Sequence, residues 1–202
     1  MSTDTETRTR LLDAAETLFY AHGVQAVGMD RLRAESGVPL KRLYRVFPAK
    51  EALVAAYLER RDERWTTSLR TYVLARPDAR ERVLAVFDWL GEWFAEPGFR
   101  GCAFLNAYGE LGTAVPAVTE VVRTHKARLR QFLGELAEGV GGGDDLADRL
   151  MVLVEGATVV AGVAASPTPA PAAQAREVAE LLLTRPGGPG RAPGGATPGA
   201  LG

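Results

Sequence analysis

The sequence predicts an all-α protein of about nine helices, and three observations carry that expectation. Apolar residues recur along almost every segment at the spacing of a helix with one buried face. No stretch alternates convincingly with the period of two that a half-buried strand requires. Glycine and proline clusters fall between the periodic segments, where they end or open helices.

Taken in order, the first stripe is Leu11, Leu12, Ala15, Leu18 and Phe19. Its helix is expected to stop at His22-Gly23, where glycine can take the left-handed capping conformation. A short second helix fits Met29 to Ser36 and ends at Gly37, and a third fits Leu40 to about Val46. Pro48 suits the opening of a long fourth helix reaching about Ala75. Pro77 separates it from a fifth over 78–95, and the loop PGFRG precedes a sixth over 101–112. Pro116 opens a seventh that runs to about Gly139, where GVGGG breaks the chain. An eighth covers 144–165, SPTPAP breaks it, and a ninth covers roughly 171–184. The last residues, rich in Gly and Pro, bury too little to offset their ordering entropy and are expected to be disordered. Three parts follow: 1–47 as a helix-turn-helix domain, 48–185 as a larger helical domain, and 186–202 as a tail.

Composition excludes several classes. The 202 residues carry a net charge of −1 and 47% apolar side chains, enough for a substantial core. One cysteine, Cys102, cannot form an intramolecular disulfide, so a reducing cytoplasm is expected. The N-terminal MSTDTETRTR lacks the apolar centre of a secretory signal. The longest apolar stretch, 150–165, contains Glu155 and is too short to span a bilayer, so no membrane partner is expected. His22 and His125 have no metal-ligand spacing; they are expected at a helix end and in solvent, respectively. With no phosphate-cradling glycine loop and no nucleophile motif, the sequence points to neither an enzyme nor a cofactor.

The charge is uneven. Residues 28–50 hold six basic and two acidic side chains on a near-neutral protein, which suggests a polyanion docking at one place. The stretch SGVPLKRLYRVFPAK has four basic residues, two aromatics and no acid. On a helical wheel Leu40, Leu43, Val46 and Phe47 fall on one side and Lys41, Arg42 and Arg45 on the other, with Tyr44 at the border. The second helix, the Gly37-Val38 turn and this third helix make a helix-turn-helix, whose second helix fits the major groove of duplex DNA. Lys50 opens the fourth helix, where unpaired backbone N–H groups and the helix dipole favour an anion.

The run LFYAHGVQAVGMDRLRAESGVPLKRLYRVFPAKEAL resembles the DNA-binding domain of TetR-family (tetracycline-repressor-like) transcriptional regulators. Leu18-Phe19, Gly23, Leu32, Gly37-Val38, Leu43-Tyr44, Phe47, Lys50-Glu51 and Leu53 carry the likeness, over about residues 8–58. The resemblance implies a homodimer on double-stranded operator DNA with two related half-sites. It implies phosphate contacts from Tyr44 and Lys50, and a recognition helix that places Pro39, Leu40, Lys41 and Arg42 at the bases, with Arg45 beside them. Gly28 stands where the family usually has a threonine N-cap beside the DNA backbone, and a glycine cap offers no side-chain oxygen. Arg33 replaces a common alanine, as a solvated residue or an added phosphate contact; Pro39 often appears as serine, and Lys41 replaces a small residue.

The eighth helix is nearly apolar all round from Leu150, which reads either as a central core helix or as a dimer face. The resemblance places the interface on the last two helices, here Leu153, Gly156, Ala157, Val160, Ala161, Ala164, Val178, Leu181 and Leu182. For a small-molecule effector, Trp65, Trp89, Trp93 and Phe104 offer aromatic walls. Cys102, Asn106 and Glu110, four apart, offer a polar stripe in a spelling similar to one seen in many TetR-family regulatory domains. The same residues also read as aromatic core packing with Asn106 satisfying a helix end, and Cys102 as a packed thiol or a redox sensor. The expected function is therefore a homodimeric DNA-binding regulator, a repressor released from its operator by a small apolar ligand. The alternative is an all-helical interaction or small-molecule-binding bundle without regulated DNA binding.

Overall fold

The computed structural model describes residues 3–184, so the tail expected to be disordered lies outside the described residues. The described chain is helical: α1 (Asp4–His22), α2 (Met29–Ser36), α3 (Leu40–Val46), α4 (Lys50–Leu74), α5 (Ala79–Phe94), α6 (Ala103–Leu111), α7 (Pro116–Gly139), α8 (Gly143–Gly162) and α9 (Ala170–Thr184), with a 3₁₀ turn at Gly112–Ala114. No strand occurs among the described residues. None of the described helices is long and apolar enough to cross a membrane.

Local chemistry sets the boundaries. Thr3 caps α1 by accepting from the Glu6 N–H at 3.2 Å, and Asp78 caps α5 by accepting from the Glu81 N–H at 3.0 Å. Pro116 occupies the first turn of α7, where its missing N–H costs nothing. Gly23 ends α1 with φ 85° and ψ 156°, not the left-handed cap expected from the sequence. The extended ψ is forced because the next two backbone N–H groups must turn toward the Glu110 carboxylate.

Two apolar cores share α4 and α7. One packs α1–α3 with the first half of α4, all of α6 and the start of α7 around Leu11, Leu32, Leu43, Leu53, Phe104 and Val118. The other packs the second half of α4 with α5, α7, α8 and α9 around Leu69, Leu90, Phe94, Leu133, Leu150 and Ala179. The core beneath the helix-turn-helix therefore extends beyond residue 47 into α6, which places α6 between the two.

Helix α8 departs from its expected environment. One face is buried within the chain, through Leu146, Leu150, Val154, Ala157 and Ala161. The other carries Val152, Gly156, Val159, Val160 and Val163 into solvent, with Val152 71% and Val163 80% exposed. Those positions run i, i+4, i+7, i+8 and i+11, a single helical face. Val178 and Leu181 of α9 continue the apolar surface. Ala157 and Ala161, expected on a dimer face, instead lie inside the chain, because they share the stripe of Leu150 and Val154 that meets the core. Gly162 packs on the loop before α6: a Cβ there would lie 3.1 Å from the Gly101 Cα.

Candidate nucleic-acid interface and regulatory pocket

The turn between α2 and α3 is built to be rigid. Gly37 adopts the left-handed conformation (φ 62°, ψ 19°), and its N–H donates to the Arg33 carbonyl. A Cβ there would meet the Arg10 guanidinium at 2.7 Å, and that same group donates to the Ser36 carbonyl at 2.6 Å. The Ser36 hydroxyl donates to the Leu32 carbonyl at 2.6 Å and accepts from the Val38 N–H at 3.3 Å. Beneath α3, Leu43 is fully buried and Phe47 nearly so, with the Arg8 guanidinium 4.8 Å above the Phe47 ring.

The apolar anchoring fixes what faces outward. Pro39, Lys41, Tyr44 and Arg45 are exposed, and Leu40, Arg42 and Lys50 are half-buried. Lys41, Tyr44, Arg45 and Lys50 make no side-chain hydrogen bond or ion pair with any described residue. Arg42 pairs with Asp4 of α1 at 3.5 Å, and Arg33 with Asp30 at 3.6 Å. The Arg33–Asp30 pair is exposed at both ends, and such pairs are worth about 0–1 kcal/mol. Gly28 is the N-cap of α2 and Ala49 that of α4; neither side chain offers an acceptor, so both helix starts retain N–H groups for an anion.

A second site lies between α4, α5, α6 and α7. Trp65, Trp89 and Trp93 form one aromatic cluster: the Trp65 ring stands at 90° to Trp89 with centroids 5.1 Å apart, and Trp89 stacks on Trp93 at 5.8 Å. Trp89 donates to the Ser68 hydroxyl. Phe104 of α6 lies flat on His125 of α7, 3.6 Å between centroids. The cavity among Trp65, Trp93, Cys102, Phe104, His125 and Glu155 is about 10 Å³, room for one water at most.

Polar chemistry is buried at its floor. Asp62 of α4 holds His125 Nδ1 at 2.6 Å and receives Arg128 on its other oxygen at 2.5 Å, with Thr66 donating at 3.2 Å. Burial alone would raise the Asp62 pKa, but the bonds from His125, Arg128 and Thr66 reverse this and hold it below the usual carboxylate range. Burial would likewise lower the His125 pKa; its bonds to Asp62 and Cys102 win and raise it. A depressed acid stabilises the fold above its unfolded pKa, and this contribution is lost as pH falls through the folded value. A raised histidine stabilises below its unfolded pKa, so on the acid side its contribution is fully present. The urea midpoint is therefore expected to drop as pH is lowered from about 5 toward 3, and Asp62→Asn is expected to remove part of that drop. A parallel pH dependence in both proteins would contradict the assignment.

Two contacts tie α6 to the helix-turn-helix. The Glu110 carboxylate accepts from the Val24 N–H at 3.0 Å and the Gln25 N–H at 2.6 Å, and Gln25 returns a bond to the Glu110 carbonyl. In the loop that leads into α6, the Tyr20 hydroxyl donates to the Gly101 carbonyl at 3.0 Å and accepts from the Arg100 N–H at 2.9 Å.

Residues 11–57 match the family profile described as bacterial regulatory proteins, tetR family. A solved TetR-family transcriptional regulator from Streptomyces coelicolor is 33% identical, covers 89% of this chain and 95% of its own length, and superimposes with a TM-score of 0.78. The chain belongs to the TetR family of transcriptional regulators. Among curated relatives, an uncharacterized HTH-type transcriptional regulator of Mycobacterium tuberculosis is 33% identical over 75 residues, 37% of this chain and 37% of that protein. The HTH-type transcriptional activator FasR of Mycolicibacterium smegmatis is 32% identical over 83 residues, 41% of this chain and 38% of FasR. These matches thus span under two fifths of the curated relatives' own length.

In this TetR-family regulator the residues expected to share one effector site divide. Trp65, Trp89, Trp93, Cys102 and Phe104 come together at the aromatic cluster. Asn106 and Glu110 do not join them. They line a separate cleft of about 600 Å³ with His22, Arg100 and Ala164, because Asn106 lies two residues, about 200° of helix, beyond Phe104. Asn106 is exposed and donates to the Arg100 carbonyl, and Glu110 is the clasp on Val24 and Gln25. His125, expected in solvent, is 3% exposed and paired with Asp62. The sequence held the signal that finds both: His125 belongs to the α7 stripe Val118, Val122, Leu129, Phe132 and Leu136, and Asp62 to the α4 stripe Leu58, Trp65, Leu69 and Val73.

Proposed function

We propose that this TetR-family regulator is a two-fold homodimer that binds operator DNA through α3 and the start of α4, and that a small molecule in the aromatic pocket releases it. The observation that carries the reading is the outward face of Lys41, Tyr44, Arg45 and Lys50, cationic and unpaired in a rigid helix-turn-helix. Tyr44 and Lys50 serve as phosphate contacts, while Pro39, Leu40, Lys41 and Arg42 face the bases. Gly28 and Arg33 add backbone contacts at the start of α2 and on its outer face.

The pocket's size supports a gating role. An apolar effector cannot enter about 10 Å³ without displacing Phe104 or its neighbours. Phe104 rides on α6, and α6 is held to α1 and to the α1–α2 loop through Tyr20 and Glu110. An effector that favours the displaced position of α6 thus favours a different placement of the helix-turn-helix, and DNA affinity falls by its differential affinity for the two states. Release by effector makes the regulator a repressor in this reading, although FasR is named as an activator.

Binding by fluorescence anisotropy separates the roles. Tyr44→Phe and Lys50→Ala are expected to weaken all duplexes about equally, and Lys50→Ala to reduce the salt slope by about one unit. Lys41→Ala and Arg42→Ala are expected to change sequence preference, each removing about 1–3 kcal/mol of discrimination at the base it reads. Uniform behaviour of all four variants would overturn the assignment of α3 as the reading helix.

A further inference from the structure

The cleft of about 600 Å³ that holds Asn106 and Glu110 is walled by the end of α1, the loop before α6, one side of α6 and the end of α8. Its apolar lining includes Phe19, Tyr57, Ala103, Ala107 and Ala161, all of them buried. The frame is braced. Gly162 packs backbone to backbone on Gly101, and the Tyr20 hydroxyl bonds both the Arg100 N–H and the Gly101 carbonyl. A preformed cleft of this size, with apolar lining and a few placed polar groups, matches a small-molecule site.

Hydrogen-bond acceptors gather at one end of it. Had α1 continued, the Val24 and Gln25 N–H groups would have closed its last turn on the Tyr20 and Ala21 carbonyls. The Glu110 carboxylate takes both N–H groups instead, at 3.0 and 2.6 Å. The Tyr20 and Ala21 carbonyls therefore accept no hydrogen bond from any described residue, and both residues line the cleft. The carboxylate is seated against them: a Cβ on Gly23 would lie 2.9 Å from its Oε1. After accepting two N–H bonds it keeps its charge and further lone pairs. Asn106, one turn before Glu110, donates its amide to the Arg100 carbonyl and leaves its side-chain oxygen as another acceptor. The C-terminal ends of α1 and α8 add partial negative charge of the same sign. The opposing cation is remote. Arg100 precedes α6 and Glu110 lies in its last turn, so about 10 Å of helix separates them, a full screening length. His22, exposed at the end of α1, belongs to the rim.

We propose that this cleft is a second small-molecule site, and that it takes primary amines carrying an apolar body. The ammonium donates to Glu110 and to the Tyr20 and Ala21 carbonyls, three acceptors for its three N–H bonds. The body lies on Phe19, Ala103, Ala107 and Ala161. An occupant touches α1, α6 and α8 together, and so fastens the helix-turn-helix to the larger helical domain. The site lies apart from the aromatic pocket and does not depend on that pocket's binding an effector.

Isothermal titration calorimetry of the full chain at about pH 8 compares three probes of similar body: 1-naphthylmethylamine, protonated at that pH, neutral 1-naphthylmethanol and anionic 1-naphthoate. The amine is expected to bind once per chain, about tenfold or more tighter than the alcohol, with the naphthoate weakest. Glu110→Gln keeps the shape and one acceptor, and is expected to remove most of the amine's advantage while leaving the alcohol unchanged. Ala164→Trp, on the exposed wall, is expected to weaken amine and alcohol alike, and keeps the test valid if Glu110→Gln loosens the clasp on α1. Equal affinity for amine and alcohol, tighter binding of the naphthoate, or amine binding untouched by both variants overturns the proposal. No DNA enters the measurement, so its failure is distinct from a failure of the DNA-binding reading.

Discussion

Asp62→Ala is expected to destabilise the protein by about 3–5 kcal/mol, because it leaves the buried His125 and the Arg128 guanidinium without their carboxylate. Asp62 is 3% exposed, His125 is also 3% exposed, and one carboxylate serves three donors. The loss exceeds that of an ordinary surface pair for this reason. Arg128→Ala provides the internal control. Its side chain is 56% exposed, so its removal is expected to cost no more than about 1 kcal/mol. Urea denaturation followed by circular dichroism measures both. A cost below about 1 kcal/mol for Asp62→Ala would mean that the α4–α7 seam does not depend on this network.

The second large effect is on assembly. Val160→Asp combined with Val163→Asp is expected to convert a species of about twice the 21.6 kDa chain mass into one of single-chain mass, by light scattering at micromolar concentration. Six of the nine large hydrophobic side chains exposed among the described residues lie on α8, its C-cap and α9: Val152, Val159, Val160, Val163, Val178 and Leu181. A contiguous apolar face of this kind marks an interaction surface, and a carboxylate pair buried there without partners prevents its burial. Gly156→Arg acts in the same way, since among the described residues nothing beyond its own helix backbone lies within 4 Å of a Cβ placed there. By contrast Ala161→Arg is expected to unfold the protein, because Ala161 sits in its own core. A wild-type monomer, or a dimer indifferent to the α8 substitutions, would rule this face out as the dimer interface.

The fold was legible because periodicity, capping and breakers agree. Pro116, Gly37 and Asp78 each mark a boundary with a local cause, and the observed helices begin and end within a few residues of the expected ones. The helix-turn-helix was legible for a further reason: Leu43 and Phe47 must face inward, which leaves Lys41, Tyr44 and Arg45 no choice but to face out. Interior chemistry was harder to read. The four-residue repeat of Cys102, Asn106 and Glu110 suggested one polar stripe, yet Cys102 is the cap and meets the Lys126 ammonium, while Glu110 reaches across to the α1–α2 loop. Spacing within one helix does not say which neighbour each residue meets. His125 was expected in solvent although it falls on the apolar stripe of α7, as Asp62 falls on that of α4; their pairing spans 63 positions and needed the α4–α7 packing to be seen. For α8, apolar composition all round gave no direction; only the folded chain separates the face it buries from the face it leaves exposed.

Selection of bound duplexes from a random DNA pool by the wild-type protein tests the central claim most directly. A dimer presenting two copies of α3 predicts enrichment of one site made of two related half-sites in inverted orientation, their centres about one helical turn or a multiple of it apart. Enrichment of no sequence above the starting pool, or of a single half-site without a partner, would contradict it.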